Sequence, residues 1–208
     1  MKIEFEPLRK AHDRSAFSSG QRELDEWFRK QASQDEKRNI TRVFVAVDRE
    51  QESAIVGFYS LSAFTVTLSN LPDDLSRKLP RYDAIPASLI GRLARGDSVR
   101  GKGVGELLLA DAVKRILGAA ESLAVFAIVV DAKDDRASAF YRSFGFIPFP
   151  KTPTRLFLLT STAAAAQASI GERIQVSAAE MNHMDELNKN APAPSASLRS
   201  AMVAQKKK

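Results

Sequence analysis

The chain contains no cysteine, and only two histidines, His12 and His183, among its 208 residues. Without thiols it has no disulfide, no thiolate metal site and no cysteine nucleophile, a composition that suits a reducing compartment. With no cysteine and the two histidines far apart in sequence, a resident metal is not expected. Long apolar runs are missing too. Residues Met1 to Pro7 alternate charged and apolar side chains and offer neither a signal peptide nor a membrane span, so the expectation is a soluble, cytoplasmic protein with no membrane partner.

The length fits one domain with a full hydrophobic core plus an appendage, and falls short of two ordinary enzyme domains. The formal charge of +6 and the isoelectric point near 9.6 suggest an anionic partner. An excess this modest does not separate a polynucleotide from a small nucleotide-like ligand.

Ile3 to Leu8 reads as an opening strand. Arg22 to Ala32 reads as a helix, with Leu24, Trp27, Phe28 and Gln31 at helical spacing and Trp27 assigned to the core. Thr41 to Asp48 and Ala54 to Thr67 are rich in β-branched and aromatic residues and read as an antiparallel pair. Ser69 to Pro86, with its prolines and charges, is expected to be a surface excursion. Ala87 to Arg95 (strand), Gly105 to Ala119 (helix, with Leu107, Leu108, Ala112, Val113 and Ile116 inward) and Leu123 to Val130 (strand) follow the grammar of a parallel βαβ unit. A helix over Asp134 to Phe144, capped at Gly145, and a last strand at Arg155 to Thr160 complete the pattern. Composition shifts after the alanines at 163 to 166, which places a boundary near Thr162. The expected division is a catalytic domain over 1–162, a linker over 163–169 and a separate segment over 170–208.

Between the strand ending at Arg95 and the following helix lies Arg100-Gly101-Lys102-Gly103-Val104-Gly105. Glycines so spaced let the backbone bend sharply and approach a ligand, and the amides opening the helix attract phosphate. Arg100 and Lys102 add charge. A Gly-rich turn of purely structural purpose remains open on spacing alone. The turn lacks the Lys-Ser/Thr ending of a P-loop and the acidic ribose ligand of a dinucleotide fold.

Arg-x-x-Gly-x-Gly resembles the acetyl-CoA signature of GNAT acetyltransferases, and Ala139-Phe140-Tyr141-Arg142-Ser143-Phe144-Gly145-Phe146 resembles their later FY-x-x-x-GF segment. Several further runs are similar to the GNAT toxins of bacterial toxin–antitoxin pairs, over about residues 1 to 160: Ser19-Gly20 with Leu24-Asp25-Glu26-Trp27, Val56 to Leu61, Ile85 to Ala94, and Asp131-Ala132-Lys133-Asp134. The main departure is Val104, where that family often has Leu. The resemblance implies an α/β fold (α+β in some schemes), a mixed, mostly antiparallel sheet flanked by helices and splayed at the acetyl-CoA site. It implies acetylation of the α-amine of aminoacyl-tRNA, which blocks translation, with Tyr141 as general acid. Leu93, Ala94, Arg95 and the run Arg100 to Gly105 are then the acetyl-CoA-binding residues. Acetylation of a small amine or a protein N-terminus, and a silent acetyl-CoA-binding module, are the alternatives.

The chemistry is consistent with these residues. An α-amine has a pKa of roughly 8, so no strong enzymic base is needed near neutrality. Attack on the thioester forms an oxyanion, for which backbone amides around Leu93 to Arg95 are the candidate donors, and a phenol beside the sulfur can protonate the departing thiolate. Candidate cations for steering tRNA are Arg9, Lys30, Lys37, Arg38, Arg77, Lys78, Arg81, Arg92 and Arg95.

Residues 170 to 202 read as a strand (Ile170 to Ser177), a helix (Ala178 to Leu187), a turn with Pro192 and Pro194, and a second helix from Leu198. This run resembles the C-terminal neutralising segment of the ribbon-helix-helix antitoxins that partner such toxins, without their DNA-binding part. It implies an inhibitor acting in cis, or in trans by exchange into a neighbouring copy, which fits the frequent homodimerisation of the toxin family. A disordered tail is the plain alternative, from its Pro, Ser and Ala content.

Overall fold

The computed structural model describes residues 1–51, 54–175, 195–197, 199–200 and 204. The elements are β1 (Ile3–Pro7), α1 (Arg22–Lys30), α2 (Ala32–Lys37), β2 (Arg42–Asp48), β3 (Ala54–Val66), α3 (Asp73–Ser76), β4 (Ile85–Arg95), α4 (Val104–Ala120), β5 (Ala127–Asp131), α5 (Asp135–Ser143), β6 (Ile147–Phe149), β7 (Thr152–Leu159) and α6 (Thr160–Gln175). The strands form one sheet in the order β1-β2-β3-β4-β5-β7-β6. Every neighbouring pair is antiparallel except β4 and β5. This is the mixed sheet expected from the sequence, and the single parallel pair needs the α4 crossover to join it.

Strand alternation sends neighbouring residues to opposite faces. Phe58 packs with α1 through Trp27 and Phe28 and with the loop before it through Phe17, stacking on Phe28 at 4.1 Å between centroids. Tyr59, next in sequence, is fully buried beneath α4 on the other face. There its hydroxyl donates to Asp111, which also accepts from Arg115 Nε at 2.8 Å, and Arg115 lies 4.1 Å over the Phe44 ring. The network ties α4 to β2 and β3, and it lies where the sequence shows only an amphipathic helix. Leu107, expected on the inward face of α4, is half-buried, while Asp111 is buried.

Three expected elements are corrected. The single helix over Arg22 to Ala32 divides at Gln31, and α2 continues to Lys37. The strand expected from Leu123 starts only at Ala127. Ser122 and Leu123 donate back to the Ala119 carbonyl and so finish the turn of α4, and Phe126 is the first residue to reach β4, through Pro86 O. The strand expected from Ile170 is helix as far as Gln175. The alanines at 163 to 166 favour helix, Ala163 and Ala166 are fully buried in the core shared with α4, and α6 runs on without a break through 163–169. The rest of the expected strand–helix–turn pattern lies mostly outside the described residues.

Candidate functional site

The site forms where β4 and β5 part. Their pairing runs from Ala87 with Ala127 to Ile90 with Val130 and stops there. At the same level the β3–β4 register jumps from Leu61↔Ile90 to Ser60↔Arg92, so Gly91 is the extra residue of a bulge, and Arg92 N donates to Ser60 Oγ at 3.1 Å. Beyond the bulge, Gly96 N donates to Val56 O. With the two-residue period of an antiparallel ladder, Ala94 and Arg92 also face β3, whereas the amides of Leu93 and Arg95 face the gap. A strand half-paired in this way can accept an extended, amide-bearing ligand along its open edge.

Below that edge, a cavity of about 470 Å³ is walled by Leu93, Ala94 and Arg95 on one side and by Arg100, Gly101, Gly103, Val104 and Gly105 on another. Gly101 and Gly103 take φ values of +75° and +74°, and a Cβ on either would meet nothing within 4 Å. Their backbone therefore needs glycine and leaves clear space above it. Gly103 is the N-cap of α4 and the cap makes no side-chain hydrogen bond, so the first amides of a 17-residue helix open into the cavity. Of the nine residues assigned to the ligand from the sequence, Lys102 alone is absent from this wall. It is exposed, and its amide is spent on Val99 O. Arg100 pairs with Asp97 at 2.9 Å, and its guanidinium beside Asp97 holds that carboxyl below the ordinary range. Lys133 and Arg136, which the sequence reading did not assign to the ligand, add positive charge on the α5 side.

Tyr141 closes the far wall. Asp134 caps α5 by accepting from Ala137 N at 2.7 Å, which sets the helix start, and Tyr141 then falls on the inward face. It is 7% exposed, is packed against Phe140 and Phe146, and its hydroxyl has no hydrogen-bond partner among the described residues. Burial, and secondarily the charge of Asp131, push the phenol up to about 12, so it keeps its proton at neutral pH.

A second cavity, of about 500 Å³, meets the first at Tyr141. The opening turn of α1 (Gln21 to Leu24), the bulge residues Gly91 and Arg92, and Asp131 with Lys133 wall it. The loop before α1 is pinned there. Asp25, buried, accepts from both N and Oγ of Ser19, and Asp97 N donates to Ser18 O. Gly20 has φ +74°, and a Cβ on it would stand 2.7 Å from Asp97, so the Ser19-Gly20 pair noted in the sequence is a docking joint. Arg92 lies 4.1 Å over Trp27, whose indole N–H donates to Asp35 at 2.9 Å. Trp27 is a core residue, as expected, and it also holds a cation at the cavity mouth. Of the other steering candidates, Arg95 faces the first cavity and bonds Gly96 O; the remainder line neither cavity. Asp131 lies in the Asp131-Ala132-Lys133-Asp134 run noted in the sequence, which gave it no role; its fork with Arg155, bonded through both carboxylate oxygens, comes only with the β5–β7 pairing.

The arrangement provides a Gly-rich turn with open helix amides, a half-paired strand edge, a protonated phenol between two cavities and cations at the outer mouth. Comparison with known proteins gives the family. The acetyltransferase (GNAT) domain family matches residues 39–148. A tRNA-acetylating toxin of Mycobacterium tuberculosis is 37% identical over 155 residues, which cover 74% of this chain and 90% of the relative. Among solved structures, AtaT complexed with acetyl-methionyl-tRNAfMet is 26% identical with a TM-score of 0.73, covering 79% of this chain and 98% of that one. AtaTR bound with AcCoA is 26% identical with a TM-score of 0.68, covering 76% and 94%.

Proposed function

The chain belongs to the GNAT acetyltransferase family, and from that premise we propose that it transfers an acetyl group from acetyl-CoA to the α-amine of aminoacyl-tRNA, as a toxin that stops the acylated residue from serving in translation. The observation that carries the reading is the position of Tyr141, whose unpartnered phenol borders both the Gly-rich cradle and the outer cavity. A donor on one side and an acceptor on the other meet at a single proton.

In this reading the coenzyme A pyrophosphate rests on the amides from Gly101 to Gly105, helped by Arg100, and its amide-bearing arm runs along Leu93 to Arg95. The acceptor amine enters from the α1 side and attacks the thioester carbon. The C–N bond forms, the oxyanion is held by strand amides, and the C–S bond breaks as Tyr141 hydrogen-bonds the sulfur and gives it a proton. The ammonium formed by the attack loses its own proton to water and the Tyr141 phenolate takes one back from solvent, which leaves an amide, a free thiol and the phenol restored. Arg92, on its Trp27 support, is suited to meet tRNA phosphate at the cavity mouth.

The curated relatives are named as toxins, and on that ground a cognate antitoxin is the proposed partner and the cytoplasm the proposed location. The run from 176 onward supports a further possibility through its antitoxin-like sequence: an inhibitor carried in cis, or exchanged between copies of a homodimer. No described helix is long and apolar enough to cross a membrane.

The test is transfer of labelled acetyl from acetyl-CoA to a mixture of charged tRNAs by the chain ending at Gln175, beside uncharged tRNA and free amino acids. Label on charged tRNA alone supports the reading. Label only on free amines would replace it with small-amine acetylation, and no label would leave an acetyl-CoA-binding module.

A further inference from the structure

We propose that Asp131, presented by Arg155, is the residue that anchors the acceptor amine in the outer cavity, a positioning role that rests on the acetyl-transfer reading above. Asp131 ends β5, the strand from which β4 parts, and its carboxylate lines the outer cavity beside Tyr141. It is not free to swing. Arg155, its cross-strand partner on β7, donates from Nε to Oδ1 at 2.7 Å and from Nη2 to Oδ2 at 2.9 Å, and the guanidinium itself lies 5.0 Å from the centre of the Phe64 ring. A fork of this kind fixes both the position and the plane of the carboxylate.

Two carboxylate oxygens offer about four acceptor directions, and the fork uses two of them. The remainder are available to N–H donors entering the cavity. The other carboxylate in that wall, Glu23, is an exposed side chain on the first turn of α1 with no fixing partner among the described residues. A preformed acceptor loses less freedom on binding than a mobile one, so the geometry selects Asp131.

The pairing with Arg155 also resolves a conflict. A bare carboxylate would hold the amine as ammonium, which cannot attack. With a guanidinium already across it, the Asp131 carboxylate draws a proton onto the amine less strongly than a bare one would, and it can accept an N–H from the neutral amine while leaving the nitrogen lone pair for the thioester. The same side chain bears on the phenol, since its charge helps keep Tyr141 protonated. One carboxylate thus orders the nucleophile and supports the acid.

The test compares the full-length wild-type chain, Asp131→Asn and Asp131→Glu. In transfer assays with a charged tRNA and with an amino-acid ester as a minimal primary amine, Asp131→Asn should raise the acceptor KM about tenfold while the KM for acetyl-CoA stays fixed, and Asp131→Glu should recover part of the loss. In equilibrium binding, the wild-type chain should hold the charged tRNA about tenfold more tightly than the same tRNA esterified with the matching α-hydroxy acid, and Asp131→Asn should bind the two alike. That ratio cancels any effect of residues beyond Gln175 on absolute binding. Equal weakening toward both tRNAs would make Asp131 merely a structural partner of Arg155 and overturn the proposal. Unchanged discrimination, or its loss in Glu23→Gln instead, would overturn it as well. If the wild-type chain acetylates the ester but not charged tRNA, the proposed substrate fails while the anchor is decided by the ester KM; with transfer to neither, the anchor is decided by the binding ratio, which needs no turnover.

Discussion

Replacing Tyr141 with Phe removes one hydroxyl and keeps the ring's packing against Phe140 and Phe146, so binding of acetyl-CoA should change little while turnover falls by about 100-fold, a typical share for a general acid. Single-turnover acetyl transfer beside acetyl-CoA titration separates the two effects, and unchanged turnover would remove Tyr141 from the mechanism. The pH dependence follows from the two groups that titrate. The acceptor amine, with a pKa of roughly 8, gives a rate that rises with pH and levels above that value. Tyr141 stays protonated until about 12, so no falling limb from it should appear below pH 10, and Tyr141→Phe should keep the rising limb. The sign for stability is the same. A phenol whose folded pKa is raised contributes fully below its unfolded value of about 10 and loses that contribution as pH climbs through the folded one, so alkaline unfolding should set in above pH 10. Tyr141 could be singled out from sequence because its neighbours form a motif. Asp131 stood in a similar run but without a role, and its fork with Arg155 could not be read at all, because only the β5–β7 pairing brings the two side chains together.

At the scale of elements, the proposed cradle depends on two backbone conformations. Gly103→Ala forces a Cβ onto a φ of +74°, which costs about 1 kcal/mol, and sets a methyl group in the space kept clear for the ligand. A small fall in melting temperature should therefore accompany a larger loss of acetyl-CoA affinity; a loss of stability alone would argue that the turn is structural. A different outcome is expected at Asp111. Its replacement by Ala leaves the Tyr59 hydroxyl and the Arg115 guanidinium without their shared acceptor under α4, and should cost about 2 kcal/mol in denaturant unfolding, at the low end for a broken buried pair because Arg115 reaches solvent. Most strands and helices could be read from periodicity, since Phe58 and Tyr59 show the alternation plainly. The misplaced ends had physical causes: at Leu123 an apolar side chain sits in solvent, 70% exposed, while the backbone finishes a helix, and at Ile170 the alanines before it carry the helix through a run that local pattern allows as strand. Asp111 was hidden because a charged residue on the inner face of a helix has no periodic signature.

Across the whole molecule, α6 decides where the enzyme can be cut. Its first turns bury Ala163 and Ala166 in the core shared with α4, so a chain stopped near 162 should lose that packing and unfold more readily, whereas one ending at Gln175 keeps the complete helix. Of the following residues, the described stretch at 195 comes back to the enzyme: the Ser195 amide lies 4.0 Å from where a Cβ on Gly145 would stand, at the end of the helix that carries Tyr141. A segment tethered by a short connector meets its site at a local concentration of roughly millimolar, so an intrinsic affinity of only about micromolar would keep it docked about 99.9% of the time. If residues 176–208 inhibit in cis, the chain ending at Gln175 should therefore acetylate charged tRNA on the order of 1,000-fold faster than the full chain. The separate peptide 176–208, added in trans, should restore inhibition only as its concentration passes the intrinsic dissociation constant. Equal rates for the two chains would instead mean that the run is an appendage without a regulatory role, and that restraint of the toxin must come from a separate antitoxin.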